Sequence, residues 1–128
     1  MRRVISAMQL SLDGFIEDPE AKQDWVENWE DDYGLLDQVD TCVLGSVAYP
    51  GYEEYWAAVL EDPGASLPLS GKSATPKEIE YATWASRTPH IVVSRKPMGV
   101  AWSNSRVVSD LEEIRKLKQT PGKDIYVV

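Results

Sequence analysis

Apolar residues along the chain gather in short, nearly continuous runs that alternate with segments of helical spacing. Because the strands of a parallel sheet are buried on both faces, runs of this kind predict strands of such a sheet. The predicted strands are residues 4–10, 41–44, 91–93, 106–108 and 124–128. Strands that alternate with helices are typical of an α/β sandwich, so we expect a largely parallel central sheet.

Helix starts are marked by two capping boxes. Residues 75–78 read Thr-Pro-Lys-Glu, which pairs a capping threonine with a glutamate and places proline at the first helical position. Residues 109–112 read Ser-Asp-Leu-Glu and predict another helix, which the Pro-Gly pair at 121–122 ends. Apolar residues also recur every three to four positions in residues 25–36 and 52–60, so we expect helices there as well.

The length of 128 residues fits a single domain with one core, spanning residues 1–128. Cys42 is the only cysteine, so an internal disulfide is excluded and nothing points to an oxidising compartment. No apolar stretch approaches the roughly 20 residues that cross a bilayer, and the basic start lacks the apolar region of a signal peptide. We therefore expect a cytoplasmic protein that does not contact membranes.

The charge is unevenly distributed around a net value of −8. Residues 17–33 hold eight acidic residues and one lysine, whereas residues 87–123 hold eight basic residues and three acidic ones. Neutralisation of phosphates supplies most of the affinity of a nucleic-acid-binding protein, so this acidic chain is not expected to bind nucleic acid. A small anionic ligand held by the basic part is compatible with the pattern.

The sequence offers little for metal or nucleophilic chemistry. It contains one histidine, one cysteine and no pair with the spacing of metal ligands, so no metal site is predicted. A triad would have to use His90, which precedes an apolar run and is interpreted as a structural histidine. Neither a P-loop nor a Gly-x-Gly-x-x-Gly motif is present.

The remaining candidates follow the predicted strands. Ligands of open α/β sheets bind beyond the carboxyl ends of the strands, where glycines, hydroxyls and cations hold phosphates. Such residues stand after the first, second and third predicted strands: Asp13, Gly14, Gly45, Ser46, Ser94, Arg95 and Lys96. Together they favour a nucleotide cofactor.

The order and spacing of these motifs resemble one known family. Residues 8–16 read Met-Gln-Leu-Ser-Leu-Asp-Gly-Phe-Ile, residues 43–45 read Val-Leu-Gly, and residues 92–95 read Val-Val-Ser-Arg. Trp-Ser-Asn at 102–104 and the closing residues 124–128 complete the set. Over its whole length the chain resembles the dihydrofolate reductase-like family. Within it, the chain is most similar to the C-terminal reductase domain of the bifunctional riboflavin-biosynthesis deaminase-reductase.

This resemblance implies a three-layer α/β sandwich with a mixed, largely parallel sheet, and an NADPH-dependent reductase. Such an enzyme transfers a hydride to a pterin- or pyrimidine-like heterocycle. By position, the loop of Asp13 and Gly14 would lie near the nicotinamide and the substrate. Gly45 would let a helix N-terminus approach the pyrophosphate, and Ser94 with Arg95 would approach the adenosine 2′-phosphate.

These expectations assign a role to each candidate. Asp13 is the predicted catalytic residue, and the others are predicted to bind NADPH: Gly14, Gly45, Ser46, Ser94, Arg95 and Lys96. We expect a small heterocyclic substrate. We also expect a homodimer, since the family is often dimeric.

The chain departs from the family pattern in two places. Ser46 and Ala48 stand where the family usually carries an arginine and a threonine that contact cofactor phosphates. The family also continues beyond the strand at 124–128 into a Gly-Gly turn and further strands, so we expect a C-terminally incomplete domain whose missing strands a partner chain replaces. The alternative hypothesis is a catalytically silent binding or oligomerisation module of the same fold.

Several residues keep a structural interpretation beside the functional one. Asp13 is also a common turn former, and the tryptophans are typical core or interface anchors. The acidic segment is typical of a solvated helix face, although Glu27, Glu30 or Asp31 could supply the carboxylate of a pterin-type site. Neither Trp102 nor Asn104 has an assigned chemical role.

Overall fold

A computed structural model describes residues 1–20, 33–68 and 70–128. In chain order the described part contains five strands and three helices. They are β1 (Val4–Ser6), β2 (Val39–Gly45), α1 (Ala48–Glu61), α2 (Pro76–Ala85), β3 (His90–Val93), β4 (Ser105–Val108), α3 (Glu112–Lys118) and β5 (Asp124–Val127).

The five described strands form one sheet in the order β1-β5-β2-β3-β4. Every pairing among them is parallel, and the register places Gly45 opposite Val93 and Val43 opposite Val127. The expectation of an α/β fold with a largely parallel sheet is therefore confirmed. An antiparallel strand, which a mixed sheet would need, is not found among the described residues.

Side chains alternate between the two faces of the sheet and bury both of them. One face, with Cys42, Leu44 and Val92, packs against Tyr49 of α1, and α2 packs in turn on α1. The other face is covered by Ile114 of α3. Helices thus cover both faces, which produces three layers and explains why the strands are almost entirely apolar.

Of the two predicted capping boxes, only the first forms. Thr75 accepts a hydrogen bond from the Glu78 amide at 3.1 Å, and the Glu78 carboxylate accepts one from the Thr75 amide at 2.9 Å. At the second, the predicted helix forms as α3, but the predicted box is wrong, because α3 begins after Leu111 without a side-chain cap of that kind. Its neighbour Asp110 instead accepts from the Glu112 amide at 2.8 Å.

The first strand is shorter than its apolar run suggests. Pairing with β5 extends only to Ser6 opposite Val127, and no described strand pairs with the residues that follow. The helix predicted for residues 25–36 falls mainly on residues outside the described part, and its described end, residues 33–36, is not helical. No helix in the described ranges is long and apolar enough to span a membrane.

The amino-terminal edge of the sheet is closed by the buried side chain of Arg2. Its guanidinium forms a salt bridge with Asp40, donates to the Thr41 hydroxyl at 3.0 Å and hydrogen-bonds the Lys123 carbonyl. The Asp40 carboxylate also accepts from the Lys123 amide at 2.8 Å. These contacts join β2 to the turn before β5.

Gly122 lies in this turn at a φ of +154°. A Cβ there would lie 2.9 Å from Asp40 Oδ2 and 3.0 Å from Arg2 Cζ, and both groups are held by their hydrogen bonds. We predict that Gly122→Ala lowers the free energy of unfolding by about 1–3 kcal/mol. Urea denaturation measures this change. Gly51→Ala, in helix α1 with open space at its Cβ, is the control and should be neutral or stabilising. Equal stability of the two variants would contradict the prediction.

Candidate functional site

The carboxyl end of β2 leads directly into α1. Gly45 ends the strand, the Ser46 amide donates to the Val93 carbonyl at 3.2 Å, and the helix begins at Ala48. Val47 is the N-cap residue of this helix, and its side chain makes no capping hydrogen bond. The first-turn amides carry the positive end of the helix dipole and therefore receive no hydrogen-bond acceptor from the N-cap side chain.

Packing within the chain does not require a glycine at position 45. Its φ lies outside the left-handed region, and a Cβ at this position would meet nothing within 4 Å. The residue is exposed at the end of a strand that is otherwise largely buried. Backbone at a sheet edge is thus left open to a close approach from outside.

A polar turn follows β3 beside this glycine. The buried Ser94 donates its amide to the Val108 carbonyl at 2.9 Å, and its hydroxyl donates to the Lys96 carbonyl at 2.7 Å. The same hydroxyl accepts from the Lys96 amide at 3.2 Å. This turn leaves the side chains of Arg95 and Lys96 exposed. Ser94 itself is therefore a turn-forming residue whose hydroxyl is already hydrogen-bonded.

The pairing of β2 with β3 brings five predicted site residues to one edge. Because Gly45 lies opposite Val93, each residue that follows one strand is adjacent to the residues that follow the other. The group consists of Gly45, Ser46, Ser94, Arg95 and Lys96. A helix start without a side-chain cap beside two exposed cations is an arrangement that holds phosphate groups.

Asp13 and Gly14 form a separate exposed turn after β1. The Ser11 hydroxyl donates to the Asp13 carboxylate at 2.7 Å and accepts from the Phe15 amide at 2.9 Å. Gly14 has a φ of +90°, which a glycine adopts without strain. Among the described residues, Asp13 makes contacts only within its own turn. Its interpretation as a turn former is therefore supported, and its catalytic role stays a prediction.

Apolar side chains surround this turn and are exposed. Leu12 is fully exposed, and Phe15 keeps 63% of its surface accessible. Val47, at the start of α1, is 95% exposed. Large apolar side chains this exposed are typical of a surface that contacts another molecule.

Glu53 of α1 is a functional candidate that the sequence analysis missed. Its Oε1 accepts hydrogen bonds from the amides of Ala101 and Trp102, at 2.9 and 2.8 Å, and from the Tyr49 hydroxyl at 2.6 Å. Burial and this hydrogen bond to the carboxylate raise the pKa of Tyr49 to about 12. No local sequence pattern signals the cluster, because its members are distant in the chain.

Trp102 and Asn104, in the Trp-Ser-Asn motif at residues 102–104, both make structural contacts. The Asn104 amide group donates to the Ala85 carbonyl at 3.3 Å and to the Thr88 carbonyl at 2.5 Å. It thereby holds the end of α2 against the start of β4. Trp102 packs edge-on against Tyr52 and His90, so it belongs to the aromatic core.

His90 lies at the amino end of β3, away from the predicted site. Its Nε2 and the Tyr52 hydroxyl are 3.1 Å apart, and its Nδ1 has no hydrogen-bond partner among the described residues. Burial lowers the pKa of His90 from 6.5 to about 4, with smaller opposing effects from the Thr88 backbone and Glu53. The imidazole is therefore neutral near pH 7, in agreement with a structural histidine.

Nucleophilic chemistry by cysteine finds little support. Burial raises the pKa of the Cys42 thiol to about 12, so the thiolate that a nucleophile needs is absent near neutral pH. No group of three potential ligands that could hold a metal ion occurs within the described ranges. Glu27, Glu30 and Asp31, the alternative carboxylates, lie outside those ranges.

Comparison with known proteins adds one relative. No protein-family model matches the chain. The chain is similar to "Uncharacterized protein YyaP" of Bacillus subtilis (strain 168), with 30% identity over 129 aligned residues. The alignment covers 98% of this chain and 62% of YyaP, so the chain spans less than two thirds of that relative's length. The name of this relative states no activity.

The buried state of His90 makes stability depend on pH. An unfolded histidine binds a proton near pH 6.5, whereas folded His90 does so only near pH 4. Between these values the unfolded state binds more protons, so folding stability falls as the pH drops through this window. We predict that wild type loses about 3 kcal/mol more between pH 7 and pH 4 than His90→Gln does. Urea denaturation at each pH measures this difference, and parallel curves would contradict it.

Proposed function

We propose that the chain is the cofactor-binding part of an NADPH-dependent reductase of the dihydrofolate reductase-like class. The observation that carries this proposal is the convergence of Gly45 and Ser46 with Ser94, Arg95 and Lys96 at the carboxyl edge of the sheet. A dinucleotide in an open α/β sheet binds at this kind of edge.

The two halves of the edge match different parts of NADPH. Gly45, with open space above it, and the start of α1 suit the pyrophosphate, which needs close backbone approach and amide donors. Arg95 and Lys96 are exposed cations, and a guanidinium holds a phosphate with two parallel hydrogen bonds. We therefore assign the binding of the NADPH 2′-phosphate to Arg95 and Lys96.

The substrate of the proposed reductase is a pterin- or pyrimidine-like heterocycle. The exposed turn at Asp13 and Gly14 follows β1 at the same carboxyl edge of the parallel sheet, beside exposed apolar side chains such as Leu12. A carboxylate beside apolar surface suits a flat ring with polar nitrogens. In this proposal the cofactor supplies the hydride, and Asp13 orients the heterocycle.

A catalytically silent module of the same fold is the second candidate. It is favoured by the exposure of Val47 and Leu12, two large apolar side chains at the edge where the cofactor would bind. A second copy of the chain would cover such residues and produce the expected homodimer. This candidate predicts a folded, self-associating protein without affinity for NADPH.

Titration with NADPH separates the two candidates. We predict saturable quenching of tryptophan fluorescence at cofactor concentrations below one millimolar, with tighter binding of NADPH than of NADH. Sedimentation of the same samples reports self-association. A dimer that shows no quenching at millimolar NADPH would contradict the reductase and support the silent module.

Arg95 determines the cofactor preference in this proposal. We predict that Arg95→Ala weakens NADPH binding about tenfold or more, the value of one charge-assisted phosphate contact, and changes NADH binding little. Arg87→Ala removes an exposed arginine near the opposite edge of the sheet and is the matched control. Equal effects of Arg95→Ala on both cofactors, measured in the same titration, would refute the assignment.

Gly45→Ala tests whether the pyrophosphate binds beside Gly45. A methyl group there meets nothing in the protein, so the free energy of unfolding should stay the same or rise. The methyl would fill the space assigned to the pyrophosphate, so binding of NADPH and NADH should weaken together. Gly51→Ala should leave binding of both unchanged. Undiminished binding by a folded Gly45→Ala protein would exclude this placement.

A further inference from the structure

One carboxylate connects α1 to the segment that follows Arg95 and Lys96. Glu53 lies on α1, whose first turn follows Gly45, and its Oε1 accepts from the amides of Ala101 and Trp102. The same oxygen accepts from the Tyr49 hydroxyl at 2.6 Å, within the first turn of the helix. Tyr49 is completely buried and also shares a 2.6 Å hydrogen bond with Ser105 at the start of β4.

The amides that Glu53 holds belong to the segment that carries the two cations. Residues 94–104 connect β3 to the parallel strand β4 without a helix, so their path depends on separate contacts, such as the hydrogen bonds between the Ser94 hydroxyl and the Lys96 backbone. Beyond Lys96, the side chains of Met98 and Val100 pack against the core cluster that contains Tyr49. Glu53 then anchors the next two residues.

We propose that Glu53 is a positioning residue that sets where Arg95 and Lys96 stand relative to the start of α1. The inference rests on the proposed function, because the distance it sets is the one between the pyrophosphate and the 2′-phosphate of NADPH. A point of attachment on α1 keeps the segment and the helix in one arrangement. Without it, the cations sample positions that the phosphate does not reach, and affinity falls through lost preorganisation.

Positioning makes a prediction that a purely structural role does not. General loosening of the fold would weaken NADPH and NADH alike, since both share the pyrophosphate. Loss of positioning acts through Arg95 and therefore affects NADPH selectively. It also disappears once Arg95 is removed, because two changes that act through one contact are not additive.

The test is a double-mutant cycle on the full chain. Glu53→Ala should weaken NADPH about fivefold and NADH less than about twofold, and it should have no further effect in the Arg95→Ala background. Glu53→Gln keeps an acceptor oxygen for the two amides and should restore most of the NADPH affinity. Should Glu53→Ala not fold, Glu53→Asp withdraws the oxygen by one methylene and is expected to show the same selectivity.

Hydrogen exchange tests the positioning without any cofactor. In Glu53→Ala the amides of Ala101 and Trp102, and also that of Lys96, should exchange faster than in wild type and in Glu53→Gln. Equal losses for the two cofactors, additive effects with Arg95→Ala, or unchanged exchange at Lys96 would each overturn the inference. If wild type binds neither cofactor, the proposed function fails and exchange at Lys96 alone decides the role of Glu53.

Discussion

The parallel pairing of β2 with both β3 and β5 is the constraint on which the other features depend. β2 is the middle strand of the described sheet and is largely buried, with Cys42 and Leu44 on one face and Val43 on the other. Parallel neighbours point the same way, so all five strands end at one edge. The residues that follow them are gathered there whatever their separation in the sequence.

The two edges of the sheet consequently differ in character. At the amino edge, the buried Arg2 bonds Asp40, Thr41 and the Lys123 carbonyl, so these contacts contribute to stability. At the carboxyl edge, Gly45, Arg95 and Lys96 are exposed beside the start of α1, where the N-cap residue Val47 makes no side-chain hydrogen bond. Exposed cations beside an open glycine and a helix start favour the carboxyl edge as the place where an anionic ligand binds.

The sequence predicts those parts of the fold that depend on neighbouring residues. The apolar runs that become β2, β3 and β5 stand out because such strands need no polar face, and the box at Thr75 and Glu78 is complete within four residues. The box at 109–112 fails because Asp110 forms a shorter turn first. The strand at β1 ends early because its length depends on β5, a partner more than a hundred residues away.

The candidate site likewise contains residues that the sequence predicts and contacts that it does not. Gly45 and Arg95 are recognisable as residues that follow strands, and the sheet brings them together. The hydrogen bonds from the amides of Ala101 and Trp102 to Glu53 could not be predicted, because a carboxylate that binds distant backbone produces no periodic pattern or motif in the sequence. The hydroxyl of Ser94 was expected on a phosphate, and the structure instead engages it with the backbone of Lys96.

We propose that a phosphate-bearing cofactor binds at the carboxyl edge between β2 and β3. Titration of the ¹⁵N-labelled protein with NADPH, followed residue by residue by NMR, tests this placement directly. We expect saturable shifts of the amides of Gly45, Ser46, Arg95 and Lys96, and none at His90 near the opposite edge. Shifts confined to other residues, or no shifts at millimolar NADPH, would contradict it.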